Sequence, residues 1–151
     1  VCYDKNFNRC KIKSPRYVCA HFARNNNVIT RKHLIDIILK GEMNEFLIYA
    51  ADYAEQMKWT KQIMEEFTET MDTAGLLARN LRTLTRPEAA EVIKHFHKLV
   101  QPIMFANHAR HVSGREYVRD WDVYKWERNI ENFLKMRLKR YLKSNPNIIQ
   151  N

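Results

Sequence analysis

Apolar side chains recur every three or four residues along most of this chain, the spacing that lays them on one face of an α-helix. Ser14-Pro15 reads as a helix opening for a short segment through Tyr17, Val18 and Phe22, stopped by Asn25-Asn26-Asn27. Thr30 caps a second helix carrying Leu34, Ile35, Ile37, Ile38 and Leu39, which closes at Gly41. One stripe then runs through Met43, Phe46, Leu47, Ala50, Tyr53, Ala54 and Met57, and another through Ile63, Met64, Phe67, Met71, Ala74, Leu77, Ala78 and Leu81. Thr85-Arg86-Pro87-Glu88 has the S/T-x-x-E form of a capping box. The helix it opens carries Ala89, Val92, Ile93, Phe96, Leu99 and Val100 until Pro102 interrupts it. A short helix over Ile103–Val112 precedes Ser113-Gly114. A long final helix, from about Val118 to Leu142, buries Val123, Trp126, Ile130, Phe133, Leu134, Leu138 and Tyr141 before Asn145-Pro146 ends it.

This pattern predicts an all-α fold, a compact bundle of about six or seven helices in a single domain over residues 1–151. Residues 1–13 form an irregular N-terminal segment. The expected core includes Leu34, Ile38, Phe46, Leu47, Ala50, Phe67, Leu77, Ile93, Phe96, Ile130 and Phe133. Composition agrees: 45% of the 151 residues are hydrophobic, and only 3 Gly and 4 Pro leave too little turn chemistry for a many-stranded sandwich or barrel. With glycine only at 41, 75 and 114, neither a phosphate-binding P-loop nor a dinucleotide fingerprint can be built. No apolar run approaches the ~20 residues that span a bilayer. Val1 is not an initiator methionine, as expected of a processed chain, a fragment or an incomplete start.

The net charge of +9 is unevenly placed. Residues 1–40 carry a balance of +7, residues 41–84 one of −4, and residues 115–151 one of +4. Excess positive charge favours polyanions or acidic partners. Lys135, Arg137, Lys139, Arg140 and Lys143 crowd the end of the last helix with no acidic residue among them. A second basic cluster, Lys11, Lys13, Arg16 and Arg24, is interleaved with Tyr3, Phe7, Tyr17 and Phe22. Cations bind phosphates whatever the sequence and rings stack on unpaired bases, so both clusters are candidate RNA, DNA or partner contacts. Glu65, Glu69 and Asp72 share one side of their helix, a candidate acidic partner face.

All three cysteines, Cys2, Cys10 and Cys19, lie in the first 19 residues, with His21 close behind. Thiolate and imidazole are the ligands of structural zinc, and a metal would order residues 1–24 where burial does not. The arrangement C-x7-C-x8-C-x-H superficially resembles the CCCH class of zinc fingers and departs from it in its last two spacings; no RNA-binding role follows from it. A Cys2–Cys10 disulfide and three reduced, packed cysteines are the alternatives. The odd count favours a reducing, intracellular setting such as a nucleus, organelle matrix or virus particle.

His108 and His111, three apart, would share a helix face, whereas His95 and His97 would not. A metal-dependent hydrolase would use this group with Glu65, Glu69 or Asp72, but no H-E-x-x-H motif and no nucleophile motif accompany it. The sequence therefore favours a non-catalytic interaction module. It would assemble through its basic and acidic surfaces into a larger viral or organellar particle, by self-association or with protein partners. Nucleic-acid binding through basic-aromatic patches is the second reading, and the hydrolase the third.

Overall fold

A computed structural model describes residues 2–3, 5–6, 9–10 and 29–144. The fold is all-α, with seven α-helices among those residues: α1 (Arg31–Leu39), α2 (Met43–Tyr49), α3 (Ala54–Arg79), α4 (Arg86–Ile93), α5 (Gln101–Ala109), α6 (Gly114–Val118) and α7 (Val123–Ser144). A single 3-10 turn, Ala51–Tyr53, precedes α3. Strand among the described residues is limited to β1 (Cys2–Tyr3) and β2 (Arg9–Cys10), which pair antiparallel with Cys2 opposite Cys10. The helix expected over Ser14–Phe22 lies outside the described residues. No helix of the described residues is long and apolar enough to cross a membrane.

The chain divides into two compact units, Val1–Thr60 and Lys61–Asn151, with the division falling within α3. In the first unit, Thr30 caps α1 in a reciprocal arrangement with His33, whose Nδ1 accepts from the Thr30 N–H at 3.1 Å. Gly41 adopts φ +72° just past the helix end, a conformation open to glycine. There the Gly41 N–H donates to the Ile38 carbonyl and the Glu42 N–H to the Ile37 carbonyl, both at 3.1 Å, the Schellman closure of a helix C-terminus. Leu34, Ile37, Phe46, Ala50 and Met57 form the core of this unit, with Ile38, Leu47 and Tyr53 packed on it. The stripe from Met43 to Met57 is not one helix. Ala50 turns out of helical geometry (φ −138°, ψ 51°), so α2 stops and the 3-10 turn redirects the chain into α3.

In the second unit the rings of Trp121, Trp126 and Phe133 surround Phe67, at centroid distances of 5.5, 5.7 and 5.6 Å. Such tilted and edge-on pairs each add about 0.5–1.5 kcal/mol beyond burial. Met71, Ala74, Ala78, Ala89, Ile93, Ile103, Met104 and Ile130 complete the apolar interior. Asn107 is buried among them. Its Nδ2 donates to the Val112 carbonyl at 2.6 Å and its Oδ1 accepts from the Val112 N–H at 3.3 Å, so it satisfies the chain just after α5.

Two expected core residues are exposed: Leu77 (48%) and Phe96 (37%). On α3 the buried positions Met71, Ala74, Gly75 and Ala78 share one face, and Leu77 falls about 110° around the helix from its centre. Phe96 lies outside any helix, because α4 ends at Ile93. Pro102 sits in the first turn of α5, where its missing N–H costs nothing; within a continuous helix its ring would clash with the carbonyl of residue 98. The helix expected over Ile103–Val112 ends at Ala109. Ser113-Gly114 begins α6, with the Ser113 hydroxyl accepting from the Glu116 N–H at 3.1 Å. The last helix starts at Val123, where Asp122 accepts from the Lys125 N–H at 2.8 Å as its N-cap.

Candidate functional site

Residues on α7 recur at positions 125, 128, 129, 132, 135, 136 and 139, and this spacing keeps them within about one third of the helix circumference. That face forms one wall of a groove of about 830 Å³ in the second unit. The opposite wall is the segment from Lys94 to Pro102 that joins α4 to α5. Six cations line the groove: Lys94 and Lys98 on the connecting segment, and Lys125, Arg128, Lys135 and Lys139 on α7. No carboxylate lines it among the described residues. Phe96, Tyr117 and Trp121 supply rings, and Asn129 and Asn132 supply amides.

The connecting segment is tied down rather than loose. The Phe96 N–H donates to the Ile93 carbonyl at 3.0 Å, and the Gln101 amide donates back to the Phe96 carbonyl at 2.8 Å. His97 Nδ1 accepts from the Leu99 N–H at 3.1 Å, which in a neutral ring leaves the proton on Nε2. Tyr117 is half-buried, and burial pushes its phenol above the ordinary tyrosine value, so the hydroxyl stays neutral. Trp121 is buried and its ring lies 4.7 Å from the Lys125 ammonium, a cation–π contact that draws that charge over the groove floor.

Lys98, Arg128 and Lys139 form no ion pair among the described residues. Lys94 pairs with Glu91 and Lys135 with Glu131, in both cases between exposed side chains. Such pairs contribute roughly 0–1 kcal/mol each, little enough for a phosphate to compete.

The basic cluster expected at the end of the last helix splits between two faces. Lys135 and Lys139 enter the groove. Arg137 and Arg140 turn to a smaller hollow of about 370 Å³ lined by Glu66, Glu69, Thr70 and Thr73, where Arg137 pairs with Glu66. Lys143 is exposed near the end of α7. Glu65 and Glu69 are exposed, whereas the Asp72 carboxylate accepts a hydrogen bond from the Gly114 N–H at the start of α6.

His108 and His111 do not share a face, since α5 ends between them. The His108 ring donates to the Leu84 carbonyl at 3.1 Å and His111 accepts from Arg79. Among the described residues no three His, Cys, Asp or Glu side chains gather as a metal would require. Of the proposed zinc ligands, the backbone register brings Cys2 and Cys10 opposite each other, while Cys19 and His21 lie outside the described residues. Lys11, Lys13, Arg16 and Arg24 lie outside them too.

Sequence reasoning missed Lys94, Lys98, Lys125, Arg128 and Phe96. One signal was available: Lys125, Arg128, Asn132, Lys135 and Lys139 follow helical spacing with no acid among them. The chain matches no protein-family model, no curated protein and no solved structure.

Proposed function

We propose that this chain is a non-catalytic binding module that holds the phosphates of a nucleic acid in the groove between α7 and the α4–α5 segment. One observation carries the proposal: six cations from two separate stretches of sequence converge on one groove that no carboxylate lines among the described residues. Grouping like charges this way is unfavourable for the protein alone and is offset when a polyanion enters. The test is a binding isotherm across a salt series. With four to six phosphates neutralised, affinity should fall roughly 50- to 2,000-fold between about 50 and 200 mM salt, because condensed counterions are released on binding. Replacing Lys125, Arg128 and Lys139 with Ala together should weaken binding and flatten that slope. An unchanged slope would exclude the groove as the binding surface.

Assembly into a larger particle, viral or organellar, in an intracellular setting, is a second reading. Exposed Leu76, Leu77 and Leu138 support it, as apolar side chains that a protein partner would cover. Its charge argument is weaker than the sequence suggests, because Glu66 and Arg137 already meet within the chain. Light scattering without nucleic acid tests it: a monodisperse monomer at all salt concentrations would rule out self-association.

A further inference from the structure

We infer that the groove takes a single strand rather than a duplex, with an unpaired base stacked on Phe96. This rests on the nucleic-acid reading above and adds the class of strand.

The first support is the placement of the ring. Phe96 is 37% exposed although the helical pattern marks it as a core residue. The backbone bond from Phe96 to Ile93 and the bond from the Gln101 side-chain amide fix the segment that presents it, so its exposure is built in. A duplex buries the faces of its bases in its own stack and offers a wall of this kind only sugars, phosphates and base edges. An unpaired base offers a π-face, which any ring can receive.

The second support is size. A groove of about 830 Å³ is of the size that small organic ligands fill, so a few unpaired nucleotides can enter. The charge is laid out for a narrow strand as well. Lys94 and Lys98 stand on one wall, and the α7 cations run from Lys125 to Lys139 on the other, roughly 21 Å along the helix. A strand lying between the walls meets cations on both sides, whereas a duplex resting across the rim reaches only the outermost.

The experiment measures binding of fluorescent uridine and thymidine homopolymers, and of a duplex of equal length, to the full chain at one salt concentration. Lengths should span roughly 4–16 nucleotides, the range of known single-strand sites. Both single strands are expected to bind at least about tenfold tighter than the duplex, and the tighter of the two identifies the favoured sugar. Phe96→Ala should lose about tenfold on the single strands and little on the duplex, without altering the salt slope. Phe96→Tyr, which keeps a ring, should retain binding and shows that any loss in Phe96→Ala is not misfolding. Equal affinity for duplex and single strand, or a neutral Phe96→Ala, would overturn the inference and leave the cationic groove standing. Failure of every nucleic acid to bind would overturn the groove reading, and this inference with it.

Discussion

Gly75 on α3 lies directly against the side-chain amide of Asn107 on α5. A Cβ at position 75 would stand 2.6 Å from Asn107 Nδ2 and 3.3 Å from its Cγ. The amide has little room to retreat, because it is buried and holds both the N–H and the carbonyl of Val112.

Gly75→Ala therefore sets two effects against each other. Alanine gains up to ~1 kcal/mol of helix propensity over glycine. Displacing a packed, hydrogen-bonded amide costs about 1–3 kcal/mol, and the cost is expected to prevail. Asn107→Ala alone leaves Val112 unsatisfied, a loss of ~1–3 kcal/mol. The double variant should be less destabilised than the two singles added together, since the clash disappears with the amide. Urea denaturation of all three variants measures this coupling.

Gly114 is constrained in another way. A Cβ there would collide with the Thr68 carbonyl oxygen and stand 2.8 Å from the Asp72 backbone nitrogen. Gly114→Ala must push α6 away from α3 and break the bond from its N–H to Asp72. A loss of about 1–3 kcal/mol in thermal unfolding is expected, larger than for Gly41→Ala if space alone mattered. At Gly41 nothing crowds the Cβ, and the penalty there comes from its positive φ.

At α4 the Glu88 carboxylate accepts from the Thr85 hydroxyl at 2.7 Å and from the Thr85 N–H at 2.8 Å. These bonds, the hydroxyl first, hold its pKa below the ordinary glutamate value. A carboxyl with a lowered folded pKa stabilises the fold above its unfolded pKa, and that contribution fades as pH falls through the folded value. Thr85→Ala, which takes away the hydroxyl and keeps the backbone N–H, should raise the Glu88 pKa part of the way towards the ordinary value and weaken this acid-range dependence. A carboxyl-carbon NMR titration of Glu88 in both proteins would show it, and identical titrations would contradict it.

The two faces of α7 make a prediction about neighbouring cations. Lys139→Ala and Lys125→Ala should each reduce nucleic-acid affinity, because both line the groove. Arg140→Ala should not, because Arg140 faces the hollow with Glu66 and Glu69. Arg137→Ala should likewise spare binding while removing its pair with Glu66. Direct isotherms at low salt separate these four variants. Equal losses from all four would mean that overall charge, not the groove, governs binding.

What the sequence revealed was mostly local. The caps at Thr30 and Thr85 and the closure at Gly41 depend on residues within a few positions of each other, and the α1 and α4 starts were legible from them; α6, which Ser113 caps, was not read as a helix. The breaks after Tyr49 and Ile93 carry no glycine or proline at the break itself, so the stripes read through them. Leu77 shows a second limit: a three-to-four spacing marks a residue as able to face a core, and which of two neighbouring faces is buried depends on the partner helix. The groove escaped for the same reason. Its walls come from residues 94–102 and 117–139, and no local pattern records that Lys98 and Arg128 line one groove.

Trp121 belongs both to the ring cluster around Phe67 and to the floor of the groove, with Lys125 held over its face. Of the three tryptophans, Trp59 is in the other unit and Trp126 does not line the groove. An arriving phosphate that draws Lys125 away removes a cation from the indole face, and indole emission responds to the charge beside it. The protein thus carries an optical reporter at the proposed binding surface. Occupancy should be readable from ultraviolet emission with no attached dye, and Trp121→Phe, which keeps a ring in the cluster, should silence the signal while leaving Trp126 to report on the core.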